Sequence, residues 1–242
     1  AVFRPNAFMH NYNLSVDGGG EKWHYAFSAS YFSQDGTIIG SNYDRLTLRL
    51  NSDVRVFKWL KLGEHLSFAS TRGRNAMNNN SSPGASVISA ALAMAPWDPT
   101  HYPEGSVNKD GENLSGRIAA SSNFKNVTNP FSMVEESFPQ NNNERWLGDI
   151  YLEINPVEGL TIRPSISMGS SLNRDRNFKN KYDYSSYDRA TKNFISSSMT
   201  RYMSLIEETT ITYAREINKH NFSVMAGQTW QQWTQYGMGG AG

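Results

Sequence analysis

Apolar and polar residues alternate over runs of about ten positions, again and again along the chain, and this limits the fold more than any other feature. A strand points successive side chains to opposite faces, so such a run describes a ribbon with one greasy side and one wet side. The clearest run is Asp44 to Val56. Leu46, Leu48, Leu50, Val54 and Val56 share one face, broken only by Ser52, while Arg45, Thr47, Arg49, Asn51, Asp53 and Arg55 share the other. Seven further segments follow the rule, carried by Tyr12 to Val16, Trp23 to Tyr31, Leu60 to Phe68, Trp146 to Ile154, Leu160 to Met168, Met203 to Ile217 and Phe222 to Trp230. Eight strands are predicted. Glu64 is a misfit, a carboxylate in the apolar phase of its strand.

The connections sort by length. Asp17-Gly18-Gly19-Gly20, Phe57-Lys58-Trp59, Asn155 to Gly159 and Asn218-Lys219-His220 are short and rich in turn residues. Between them fall longer ones, Gln34 to Tyr43, then residues 72–143, then residues 172–198. Loops of that length are uncommon in compact domains unless they are functional. Short turns at one end and long loops at the other describe the wall of an outer-membrane β-barrel. Trp23 and Trp59 beside the short turns, with Tyr31, Trp146 and Trp230 toward the long loops, supply two aromatic belts where headgroups would lie. A soluble antiparallel sandwich also alternates, but its connections need not segregate by parity and its strands are usually shorter.

Composition removes other classes. A formal net charge of +1 gives no basic footprint for nucleic acid, and the absence of Cys excludes disulfide frameworks and thiolate chemistry. The most apolar stretch, Val87 to Trp97, is interrupted by Ser89 and Pro96 and is too short for a membrane-spanning helix. Ser86 to Ala95 is expected to form a short helix. No initiator Met or export signal is visible, and the tail Gly237 to Gly242 reads as a cut or a loop, so the chain is expected to be an internal piece of a longer protein.

Several stretches in order resemble the TonB-linked outer-membrane receptors of the SusC/RagA type from Bacteroidetes. They are His10 to Val16 with Gly18-Gly19, Tyr31 to Ile39, Tyr43 to Asn51, Lys58 to Gly63, Arg145 to Ile154 with Pro156 and Gly159-Leu160-Thr161, and Lys219 to Gly227. The resemblance implies an all-β transmembrane antiparallel barrel of about twenty-two strands, of which this chain supplies about eight with their long extracellular loops. It implies a plug domain outside this chain that engages TonB, a SusD-like surface lipoprotein as lid, and glycans or peptides as cargo. The setting is the bacterial outer membrane, with lipid and lipopolysaccharide around the wall. A small barrel of eight strands acting as a passive porin, and a secreted carbohydrate-binding or adhesion sandwich, are the alternatives.

On the barrel reading, Arg45, Arg49, Arg55, Asp149, Glu153 and Arg163 face the lumen. The expected contact residues for substrate or partner are the loop aromatics Trp97, His101, Tyr102, Phe124 and Phe138, then Tyr182, Tyr184 and Tyr187, with the Asn78 to Asn80 and Asn141 to Asn143 runs as amide partners. The five His residues lack ligand spacing, so neither a metal site nor a cofactor is expected. Asn108-Lys109-Asp110-Gly111-Glu112 has alternating oxygen ligands, but its glycine sits one place too early for an EF-hand. Neighbouring strand residues point to opposite faces, so Glu207 and Glu208 cannot act as an acid/base pair, and no catalytic residue is expected.

Overall fold

A computed structural model describes residues 2–74, 86–120, 127–184 and 188–242. Eight long strands form one antiparallel sheet: β1 (Met9–Gly19), β2 (Trp23–Asp35), β3 (Asn42–Phe57), β4 (Leu60–Arg74), β5 (Ser137–Ile154), β6 (Leu160–Lys179), β9 (Phe194–Ile217) and β10 (His220–Ala241). They pair strictly in chain order, β1-β2-β3-β4-β5-β6-β9-β10. A small hairpin, β7 (Tyr182–Asp183) with β8 (Arg189–Ala190), and two short helices, α1 (Val87–Ala93) and α2 (Pro130–Glu135), occupy the long connections.

The register carries the alternation across the whole sheet. On one face Leu14, Ala29, Leu48, Phe68 and Trp146 stand side by side, and one step along so do Phe27, Leu50, Leu66, Gly148 and Met168. Among the described residues no second layer covers them: Leu14 is 61% exposed, Trp146 58%, Ile150 55%, Met168 60% and Trp230 51%. Outside the wall residue Tyr151, the buried apolar side chains among the described residues lie in the N-terminal segment and the long connections, and Val2, Ile38, Val87 and Val134 form a cluster there backed by Ile39, Ile88 and Phe131. A soluble sandwich buries this face and a small closed barrel joins β1 to β10. Neither is present among the described residues, since no second large sheet packs on the eight-stranded one and that sheet is open between β1 and β10.

Several boundaries differ from the expected ones. β4 runs to Arg74, β5 starts at Ser137, β6 runs to Lys179 and β9 starts at Phe194, so the long connections are shorter than 72–143 and 172–198. Phe138 and Asn141 to Asn143, expected in a loop, lie on β5. The tail Gly237 to Ala241, read as a cut or a loop, is strand, paired with Ser196 to Thr200. The reason is the same at each place. Where both faces of a strand meet water, the backbone ladder continues but the apolar alternation that reveals it stops. Asn141 bonds Asp175 at 2.7 Å and Arg174 pairs with Glu144, so these outer ladders are held by cross-strand polar pairs.

One close approach in the wall depends on glycine. The Tyr151 ring lies over Gly63 on the polar face, where an added Cβ would come within 2.3 Å of it. Arg163 stacks on the same ring at 4.1 Å and His65 at 5.6 Å.

Because the apolar face has no protein cover, Ile150→Arg should cost roughly 2–4 kcal/mol of folding stability in a bilayer. Thr47→Arg on the opposite face should cost little. Equilibrium unfolding of the full-length protein in lipid vesicles measures both, and equal costs would contradict this assignment of the faces.

Candidate functional site: the polar face and the outer cap

The backbone pairing settles which charged wall residues belong together. Arg45, Arg49 and Arg55 alternate along β3, Arg55 lies opposite Lys61 and Lys61 opposite Glu153. Asn51 pairs with His65, which pairs with Asp149, and Arg163 lies two residues from Ser165, the partner of Tyr151. All six expected lumen residues therefore share the polar face. They form no single cluster. Near the short turns His24 and Lys61 approach Asp53 at 3.5 and 3.3 Å, and His65 meets Asp149 at 2.9 Å. At the far end Arg45 sits over the Phe32 ring at 5.7 Å. Glu207 and Glu208 point to opposite faces, opposite Trp230 and Thr229 respectively.

The other expected contact residues lie on the cap above the long-loop end. Trp97 is broadly exposed there. His101 lies edge-on to Phe131 at 4.9 Å, with Glu135 3.5 Å from its Nε2. The Tyr102 hydroxyl accepts from the Ala120 amide at 3.3 Å. Phe138 faces Phe178 and receives the Arg74 guanidinium over its ring at 5.1 Å. Tyr182 and Tyr184 stack at 4.9 Å. Phe124, Tyr187 and the Asn78 to Asn80 run lie outside the described residues. In the Asn108 to Glu112 stretch, the Asn108 Oδ1 accepts from the Asp110 and Glu112 amides at 3.0 and 2.7 Å, so it closes a turn.

What organises the cap is a buried carboxylate. Asp188, 1% exposed, comes from the second long connection and enters the first. It accepts the backbone N–H of Asn129 at 3.0 Å and the Ser132 hydroxyl at 3.0 and 3.1 Å. Asn129 is itself fully buried: its Nδ2 donates to the carbonyls of Thr100 and Ala119 at 2.9 and 2.8 Å, while its Oδ1 caps α2 through the Phe131 amide. Glu136, just past α2, takes Asn180 at 2.9 Å and the Tyr184 hydroxyl. Gly40, at φ +77°, brings the β2–β3 turn against Val134, where a Cβ would come within 2.5 Å. Three connections are thus tied into one unit. Asn129-Pro130 is a legible helix start, but nothing in the sequence marks Asp188 as its distant partner.

The tyrosines register this environment. Burial raises the Tyr182 phenol above its ordinary range, reinforced by the Asp188 carboxylate to which it donates. Burial likewise raises Tyr184, with Glu136 as the second cause. Both favour the neutral phenol.

Asp188→Ala leaves the Asn129 amide and the Tyr182 hydroxyl without their acceptor, each worth about 1–3 kcal/mol, while the Ser132 hydroxyl keeps the Asn129 carbonyl at 2.8 Å. Trypsin should then cut at Lys181, Arg189 or Lys192 about ten- to a hundredfold faster in the folded full-length protein, whereas Asp188→Asn, which keeps one acceptor oxygen, should fall between. The pH dependence has a definite sign. Since both phenols titrate higher when folded than the ordinary value of about 10, their contribution to the cap is complete below pH 10 and declines as pH rises from there through the folded values. Absorbance titration at 295 nm, compared with Tyr182→Phe and Tyr184→Phe, should show both phenols missing from the step near pH 10.

No protein-family model matches the chain. It is 24% identical over 231 residues to TonB-dependent receptor P3 of Formosa agariphila, a Bacteroidetes, and 23% identical over 225 residues to TonB-dependent receptor P26 of the same organism. In each case 93% of this chain is covered, and it spans 21% of the relative's length. Among solved structures, the RagAB peptide importer in its closed-closed state superposes with a TM-score of 0.69 at 19% identity. The RagAB peptide transporter gives 0.70 at 18%, and both cover 96% of this chain and 25% of theirs. Over most of its length the chain is thus similar in sequence to TonB-dependent receptors of a Bacteroidetes and in fold to part of the RagAB importer, an antiparallel wall like that of a TonB-dependent receptor barrel.

Proposed function

We propose that the chain is a mid-barrel portion of an energy-coupled importer of the outer membrane, which takes up glycans or peptides too large for ordinary pores. The observation that carries this reading is the uncovered apolar face shared by eight strands, opposite a face lined with Arg45, Arg49, Arg55, Asp149, Glu153 and Arg163. Acyl chains meet the first face, with lipopolysaccharide at the outer rim, and the second borders the lumen and the plug. The plug and its TonB-binding segment belong to other parts of the protein. The cap forms the extracellular surface, where Trp97, His101 and Tyr102 meet cargo or a SusD-like lipoprotein lid. The likeness in fold to RagAB, a peptide importer, supports import as the activity and peptide as one class of cargo.

Energy coupling separates this reading from a passive pore. In cells carrying the full-length protein, uptake of labelled oligosaccharides or peptides should stop when TonB is deleted, and the purified protein should show little steady conductance in planar bilayers. Uptake that persists without TonB would falsify the proposal in favour of a porin.

A further inference from the structure

At the outer end of the polar face, β2 to β6 enclose a hollow of about 670 Å3, a size that suits a small ligand. Its floor is one cross-strand row: Gln34 opposite Tyr43, Tyr43 opposite Gly73, Gly73 opposite Asn141 and Asn141 opposite Asp175. The next row inward sets Thr71 beside Asn143 and Asn143 beside Asn173. Gly73 makes the hollow by having no side chain between Tyr43 and Asn141. A Cβ there would meet only the Asn42 carbonyl at 3.4 Å and Tyr43 Cδ2 at 3.6 Å, which is ordinary contact. Asn141 donates one amide hydrogen to Asp175 at 2.7 Å. Its second N–H and its Oδ1 remain for a ligand, as does the half-exposed ring of Tyr43.

The chemistry of the lining selects among ligands. Primary amides, hydroxyls, one carboxylate and one guanidinium, that of Arg74, which already donates to the Val134 and Ser137 carbonyls, beside an aromatic ring suit a neutral polyol. Adjacent hydroxyls pair with the amide oxygen and nitrogen, while the C–H side of a pyranose packs on the ring. The strand spacing of ~4.8 Å is close to the rise of one sugar unit, so an oligosaccharide lying across the strands repeats its contacts from strand to strand. A peptide recognised through its backbone takes a free sheet edge, and the strands here are interior ones with paired ladders. We propose that this hollow is a subsite for a neutral oligosaccharide, with Tyr43 stacking on one sugar and Asn141 and Asp175 hydrogen-bonding its hydroxyls. This rests on the importer reading and names its cargo class.

The test uses the full-length protein in detergent and calorimetric titration with maltohexaose, cellohexaose, xylohexaose and mannohexaose, with tryptic casein peptides alongside. At least one hexaose should bind. Tyr43→Ala should weaken it about tenfold and Asn141→Ala about fivefold. Gly73→Ala places a methyl group on the floor of the hollow beside Tyr43 without a clash and should also weaken it, while heat-modifiable migration on gels reports that each variant is folded. Unchanged affinity in the folded variants, or binding of peptides alone, overturns the subsite, and TonB-dependent uptake that is intact in those variants leaves the importer reading standing. If no hexaose binds, the subsite is likewise overturned, and loss of TonB dependence in the unaltered protein overturns both.

Discussion

Backbone hydrogen bonding is the constraint from which the rest of this structure follows. Each of the six interior long strands satisfies its N–H and C=O groups on both neighbours, β1 and β10 each pair on one side, and the pairing proceeds in chain order without a crossover. An antiparallel sheet built this way needs no second layer to satisfy its backbone, so its two faces are free to meet different surroundings. Apolar side chains then collect on one face and charged ones on the other. The ordinary hydrophobic core of a soluble domain shrinks to the small cluster at the loop end. Closed into a barrel, such a ladder is one of only two arrangements that leave no polar group unmet in a hydrocarbon medium.

The wall is not purely apolar on its greasy side. Glu64 and Glu207 lie on it, in a row that reads Tyr25, Ser52, Glu64, Ile150, Ile166, Glu207 and Trp230. Ser52 donates to Glu64 at 3.1 Å, which explains why two breaks in the alternation, one on β3 and one on β4, fall side by side. Each polar residue answers the other across the strand pair. What looks like a fault in one strand is a cross-strand pair in the sheet.

This difference between one strand and two marks the limit of what the sequence discloses. Leu46 to Val56 is legible alone because the pleat repeats every second residue, and the turns around Gly18 and Gly159 are legible because few residues suit them. The outer ladders are not. Asn141 to Asn143 and Gly237 to Ala241 have no apolar phase to follow, since both of their faces meet water or the residue has no side chain to place. The expected lumen residues Arg45 to Arg163 share a face because parity alone decides it. The cap depends on contacts that no periodicity encodes: Asp188 reaches Ser132, and Glu136 takes up Tyr184 and Asn180, across some fifty positions of chain.

That cap also accounts for how the described parts of the long connections are held together on an open rim. A loop closing between distant strands loses conformational entropy that grows only slowly with its length, so the larger requirement is to satisfy the polar backbone it brings out of solvent. Asn129 does this at three places at once, holding the Thr100 and Ala119 carbonyls and the first turn of α2. Asp188 then binds the Asn129 amide from the other loop. The two connections become mutually dependent: removing either partner exposes the other's buried polar groups rather than merely lengthening a loop. Movement of this surface is therefore expected to be movement of the unit, with hinges at the strand ends where the polar cross-strand pairs give way to the cap.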